Sequence, residues 1–274
     1  MGSTEHTDTV APIVVTTRYN SYSMRYLILL AALWGAPQLV AQSDSLAAML
    51  GVEPNQYFAD RDSAYIDPYY GLRKLIYGNR RFAENKSISP RQTDEDLKNT
   101  NLGQKPFAVI IGCADSRVPN EIIFDQGVGD LFITRTAGQV MAEASYGTIE
   151  YAVKFLNTKL VVVLGHQSCG AVTAAIQRPE APPGHIVTLI NAIKPAAQRA
   201  EKMADTEEEM LDAAIRENVL EQVNLLRNLE PVMSRSSEAG DILIVGAVYD
   251  IESGKVIFLE ETVTSLPRFA NADK

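Results

Sequence analysis

A chain of 274 residues, 46% hydrophobic and 22% charged, has the composition of one globular domain or at most two. Its net charge of −9 and pI near 5.0 leave no basic stripe of the kind a nucleic-acid partner calls for. Two cysteines are too few for a disulfide framework, although a single disulfide stays open if the protein is exported.

Residues 1–23 are polar and without periodicity, and are read as a non-native or disordered extension outside the fold. Met24-Arg25 then begins a short basic flank, Tyr26 to Trp34 forms an apolar core, and Ala41-Gln42-Ser43 offers a small residue at a cleavable position. That pattern predicts a signal peptide over 24–42 and a periplasmic protein. A buried helix or an uncleaved anchor is the alternative for the segment, and a cytoplasmic protein the alternative location. The apolar run is shorter than the roughly 20 residues a bilayer span needs. Residues 43–66 read as a linker with a helical turn at Ser45 to Leu50, and 67–274 as one catalytic domain.

Within that domain, Tyr69 to Glu84 has Leu72, Leu75, Ile76 and Phe82 at helical spacing, and Asp94 to Lys98 is a weaker helical stretch. Phe107 to Ile111 and Leu160 to Leu164 are apolar, mostly β-branched runs closed by Gly112 and Gly165, which predicts buried strands of a parallel sheet. Leu131 to Thr134 is a further strand. Helices are predicted at Asn120 to Phe124, Glu143 to Leu156, Ala171 to Gln177, Ile186 to Met203 and Glu207 to Leu229. The last has Thr206 as N-cap and acidic residues in its first turn. Pro179 to Gly184 is a turn. Asp241 to Tyr249 is a fourth strand, turned by Ser253-Gly254 into a hairpin at Val256 to Glu260. The fold class is α/β: a mainly parallel sheet of four strands plus an antiparallel C-terminal edge strand, flanked by helices, with an N-terminal helical arm.

Glycine motifs do not make this a nucleotide-binding sheet. Gly127-Val-Gly129 lacks a third glycine and a preceding strand, and Gly165 to Gly170 has Ala171-Val172 where a phosphate loop needs Lys and Ser or Thr. The informative stretches are Cys113-Ala-Asp-Ser-Arg117 and His166-Gln-Ser-Cys169, each directly after a strand. Ligands of open α/β sheets gather just beyond the carboxyl ends of such strands, so both stretches open toward one crevice.

Cys113, His166 and Cys169 offer two thiolates and an imidazole, the donor types zinc prefers, and three protein ligands leave a fourth position open for catalysis. Taken alone, the same three residues also fit unrelated core positions or a Cys113–Cys169 disulfide. Asp115 is the further candidate at the metal: two residues after a ligand cysteine, it lies close to the open position. Arg117 can hold its carboxylate in a bidentate pair and so keep it facing a metal-bound water. The bland reading of the pair is a surface salt bridge worth well under about 1 kcal/mol.

These residues resemble the β-class carbonic anhydrases, through Cys-x-Asp-x-Arg at Cys113 to Arg117 and His-x-x-Cys-Gly at His166 to Gly170. The likeness extends through Gly78 to Phe82, Ile122 to Gly127, Arg135 to Gly138 and Ile149 to Ala152. It implies zinc-dependent hydration of CO2 to bicarbonate and a proton by a zinc-bound hydroxide, with one Zn2+ per chain on Cys113, His166 and Cys169, and Asp115 paired to Arg117 beside it. Gln104, Phe132 and Tyr151 match the pocket residues of plant-like, open-site members, and Ala137 stands where a small aliphatic residue narrows the pocket. Ile110 occupies the place of a tryptophan found in a bicarbonate-regulated subgroup. The resemblance also implies a homodimer or higher oligomer, in which a second subunit closes the pocket and the segment around Tyr69 to Glu84 reaches across.

Rival readings are a related zinc enzyme acting on CS2 or COS, a redox or binding module with the Cys113–Cys169 disulfide, and a zinc-stabilised structural protein. His185, in a Pro-Pro-Gly-His turn, reads as a surface residue rather than a proton shuttle, and His6 lies in the excluded extension.

Overall fold

A computed structural model describes residues 46, 50–51 and 60–264. The extension at 1–23 and the apolar segment at 24–42 lie outside the described residues. The fold begins with α1 (Arg61–Ile66) and α2 (Pro68–Ala83), followed by α3 (Asp94–Thr100), β1 (Ala108–Cys113), α4 (Asn120–Ile123) and β2 (Leu131–Thr136). A 3-10 turn, Ala137–Gln139, leads to α5 (Glu143–Phe155), β3 (Leu160–His166), α6 (Gly170–Gln177), α7 (Ile186–Ala200) and α8 (Glu207–Arg227). The described residues close with α9 (Met233–Glu238), β4 (Leu243–Tyr249), β5 (Val256–Phe258) and a second 3-10 turn, Glu260–Thr262.

The five strands form one sheet in the order β2-β1-β3-β4-β5, the first four parallel and β5 antiparallel to β4. All residues of β1 and β3 are buried, which is why both read as continuous apolar runs instead of alternating ones. Successive residues of a strand face opposite sides. Ala108, Ile110, Leu160 and Val162 therefore meet Leu72, Leu75 and Phe107 on one side, while Val109, Ile111, Val161 and Val163 meet Ile149, Val219 and Val223 on the other. Among the described residues no helix is long and apolar enough to cross a membrane.

Thr206 caps α8 as its sequence predicts: its hydroxyl accepts from Glu209 N–H, and the Glu209 carboxylate accepts from Thr206 N–H. Two helices are absent from the sequence reading. The first, α1, falls inside the stretch read as a linker; Asp60 accepts from the Asp62 and Ser63 N–H groups to start it, and Ala64 is buried under it. Leu46 is buried against the same core. The second, α9, has only six residues and no period, and is anchored by the buried Met233. The apolar stripe of α2 is buried against the chain's own sheet, with Leu72 and Leu75 at 0% exposure, where a detached arm would leave it open.

Candidate metal centre

Connections leave β1 toward β2 on one side, while β3 lies on the other, so the strand order reverses between β1 and β3. In open α/β sheets that gap, at the carboxyl ends, is where ligands sit. Cys113 ends β1 and His166 ends β3, and the strands pair in register up to Gly112 with Leu164. Ser168 takes left-handed backbone (φ 54°) to turn the chain, which brings Cys169 to the N-cap of α6. One donor atom from each of Cys113, His166 and Cys169 then lies within 4.8 Å of the others, and all three residues are buried. Both cysteines are free, so the disulfide reading has no support.

His166 Nδ1 is 2.8 Å from the Gln167 carbonyl oxygen, which can only accept. Nδ1 therefore carries the hydrogen and Nε2 presents its lone pair, the tautomer of a metal ligand. Nε2 is buried and has no hydrogen-bond partner, an omission worth about 1–3 kcal/mol if nothing else takes that lone pair. The Cys113 sulfur accepts from the N–H of Gly138 (3.2 Å) and of Asp115 (3.4 Å). Its thiol is pulled below the ordinary range, first by the hydrogen bond shared with Cys169, then, against burial, by His166 and these two backbone donors. Cys169 is pushed up by the same sharing and by burial. The two sulfurs thus differ in their readiness to lose a proton, and a divalent cation on both would take the place of their protons. Donors on a tetrahedral zinc stand about 3.5–3.8 Å apart. The spacing, the soft N/S donor set and the orphaned Nε2 all fit zinc.

Asp115 stands beside this cluster with both oxygens held. Arg117 Nε donates to Oδ1 (3.0 Å), Nη2 to Oδ2 (2.8 Å), and the Arg117 backbone N–H to Oδ1 (2.9 Å). Nη2 also donates to the Ser168 carbonyl at 3.2 Å, which ties the two loops together. The Arg117 side chain, ahead of every other influence, holds the Asp115 carboxyl well below the usual carboxylate range, against the opposing effect of burial. Oδ2 is 3.9 Å from His166 Nε2. As a candidate ligand Asp115 is near enough to face whatever Nε2 binds, and Arg117 keeps it from closing in.

Two contributors escaped the residue-by-residue reading. Arg135, on β2, donates from Nε to the Cys113 carbonyl (2.8 Å) and from Nη2 to the Asp115 carbonyl (2.6 Å), fixing the first loop from the neighbouring strand. Gly138 supplies the N–H to sulfur noted above. Arg135 lies in the carboxyl half of β2 and Gly138 just after it, and the same rule that picked out the other two loops could have flagged them.

The remaining site residues divide. Ala137 opens the turn next to Gly138, at the centre. Phe132 pairs with Val109, four residues before Cys113, about 13 Å back along the sheet at 3.3 Å per residue. The Tyr151 ring is 6.2 Å from that of Phe132 and 5.4 Å from that of Phe155. Gln104 is exposed in the loop before β1, at the amino ends of the strands. Within one chain, therefore, Cys113, Asp115, Arg117, Ala137, His166 and Cys169 come together, while Phe132 and Tyr151 meet each other toward the opposite end, where the Gln104 loop also enters β1. His185 is exposed at the start of α7.

Comparison with known proteins gives this arrangement its relatives. A family model described as carbonic anhydrase matches residues 108–256, which carry β1 to β4 and all three cluster residues. Carbonic anhydrase 2 of Mycobacterium tuberculosis is 39% identical over 200 residues, covering 70% of this chain and 92% of that protein. A β-carbonic anhydrase of Aspergillus fumigatus, CafA, superimposes with a TM-score of 0.57 at 27% identity, over 73% of this chain and 93% of that one. A β-carbonic anhydrase of Sordaria macrospora, described as tetrameric, shares the fold with a TM-score of 0.55 at 24% identity, over 69% and 96% of the two chains. With sheet order, cluster and relatives in agreement, the chain belongs to the β-class carbonic anhydrases.

Proposed function

We propose that the protein catalyses the reversible hydration of CO2 to bicarbonate and a proton, with one zinc ion per chain on Cys113, His166 and Cys169. The observation that carries this reading is the Asp115 carboxylate, pinned by Arg117 3.9 Å from the unpartnered Nε2 of His166. Zinc, when bound, supplies a Lewis acid that acidifies water. Asp115, ionised, accepts the hydrogen of the attacking water and so turns an oxygen lone pair toward the carbon of CO2. Arg117 keeps the carboxylate an acceptor and denies it the fourth metal position. Val140, Val172 and Ile193 pack around the two cysteines and make the inner wall dry, which suits an uncharged gas.

Gln104, Phe132 and Tyr151 serve this chemistry in a homodimer. β2 is an edge strand, and beside it Tyr151 and Phe155 are 47% and 75% exposed. A two-fold copy across that edge would run the two sheets in opposite senses, bringing the amino end of one to the carboxyl end of the other. Each chain would then complete its partner's pocket. The protein is also proposed to be exported to the periplasm and cut after residue 42. N-terminal sequencing from the periplasmic fraction of a Gram-negative host tests that, and an uncut cytosolic chain overturns it.

The deciding experiment for function is stopped-flow CO2 hydration by wild type and Asp115→Ala, with zinc content measured on both. Wild type should be active with one zinc per chain. Asp115→Ala should keep its zinc and lose about 10²–10⁴-fold in rate. A zinc-loaded but inert wild type sinks the proposal.

A further inference from the structure

The turn after β2 is held from beneath by a side chain that belongs to none of the site motifs. In Ala137–Gln139, Gly138 (φ 66°) and Gln139 (φ 46°) both adopt left-handed backbone. A Cβ on Gly138 would stand 2.7 Å from Ile193 Cδ1 and 3.1 Å from Ala171 Cβ, so a larger residue would be strained by its backbone and would have to push Ile193 aside. Gly138 takes that conformation without cost, but Gln139 does not, and a non-glycine residue persists there only where the surroundings over-determine it. Here Asn218 supplies one such restraint: its Nδ2 donates to the Gly138 carbonyl at 3.0 Å, across 80 residues of chain. The N–H of the same glycine donates to Cys113 Sγ at 3.2 Å.

Asn218 sits on α8 with 0% exposure. Its Oδ1 is buried without a hydrogen-bond partner. Burying an amide and leaving half of it unsatisfied is a poor device for stability, because an apolar residue of the same shape would cost less. The position makes sense if the turn, and not the core, is what the amide serves. An N–H donated to a thiolate draws charge from the sulfur, weakens its donation to a metal and leaves that metal more electrophilic.

We infer that Asn218 is a positioning residue for the metal centre: by holding the Gly138 carbonyl it aims the Gly138 N–H at Cys113 Sγ and so sets the charge which that sulfur delivers to the metal. The inference rests on the zinc reading above. It is tested on the cobalt-substituted holoprotein by the sulfur-to-cobalt charge-transfer band, and on the zinc holoprotein by chelator competition. Asn218→Leu removes the donor at nearly constant volume. Gln222→Leu makes the same kind of change at a buried position one turn further along α8 and serves as the control.

Asn218→Leu should move the band to longer wavelength and change the zinc Kd by about 10–100-fold, whereas Gln222→Leu should stay within about twofold on both measures. A folded Asn218→Leu with an unmoved band and unchanged Kd overturns the inference, and so do equal shifts in Gln222→Leu. If Asn218→Leu does not fold, Asn218→Ala replaces it, read by the scalar coupling between the Gly138 amide proton and cadmium-113 in the metal-loaded protein. Loss of the wild-type coupling upholds the role, and full retention overturns it. None of these readouts needs turnover. A wild type that binds zinc but hydrates no CO2 removes the proposed reaction and leaves Asn218 to be judged on the band. A wild type that binds neither metal removes both.

Discussion

The carboxyl end of the sheet and its β2 edge are unfinished in complementary ways. At the carboxyl end each group is oriented: the buried His166 by its bond to Gln167, the buried Cys113 by two backbone N–H groups, and the half-buried Asp115 by Arg117. Yet, among the described residues, Phe132 and Tyr151 lie at the other end of the sheet. At the β2 edge Phe132, Tyr151 and Phe155 form an aromatic face, two rings of it largely exposed, with no ionisable cluster behind it. One region has chemistry without a lid and the other a lid without chemistry. Strand order explains the split, since parallel strands send their loops to one end, and a residue four places back along a strand cannot reach that end. The second copy of opposite sense proposed above would reconcile them.

The largest effect tests whether the carboxyl end is one metal site. His166→Ala or Cys169→Ala should lower zinc affinity by more than about 100-fold, beyond what losing an outer partner of a ligand costs, with CO2 hydration falling in step. Zinc analysis after gel filtration reads it, and retained zinc would break the site apart. Next comes the exchange of ends between copies. Asp115→Ala and the Gln104→Ala/Tyr151→Ala double variant should each be poor alone, but unfolded and refolded together they should recover about a quarter of wild-type activity, because half the random dimers carry one intact site. No recovery would return all these residues to a single chain.

Smaller effects come from pH. Asp115 is held ionised by Arg117, so it contributes no titration near neutrality. Two thiolates neutralise most of the charge of a zinc ion, and hydration should therefore climb as pH rises above neutral. A flat profile from about pH 6 to 9 contradicts this. The smallest effect lies under the amino end of β1, where Lys74 is 5% exposed with its ammonium 5.7 Å from the Phe107 ring. Burial lowers its pKa to about 8, against roughly 10.4 in an unfolded chain. Between those values the unfolded chain binds more protons, so stability should rise with pH from about 8 to 10. The urea midpoint should show that rise in wild type and lose it in Lys74→Met, while zinc binding stays unchanged. An equal rise in both proteins would show that Lys74 is not its source.

What the amino-acid sequence determined by itself is whatever depends on near neighbours. The β-branched runs at Val109 to Ile111 and Leu160 to Leu164 could only be buried strands, Thr206 with Glu209 could only begin a helix, and two loops directly after strands had to open at one end of the sheet. The donor set followed, because residue type fixes metal preference and the loops carry those types. Tertiary structure decided what depends on contacts between distant segments. It placed Arg135 against the Cys113 carbonyl, Asn218 against Gly138 across 80 residues, and buried the short helices α1 and α9, whose six residues are too few to show a period. It also parted Phe132 and Tyr151 from the cysteines, although all lie on neighbouring elements, because distance along a strand is set by register and not by order in the chain.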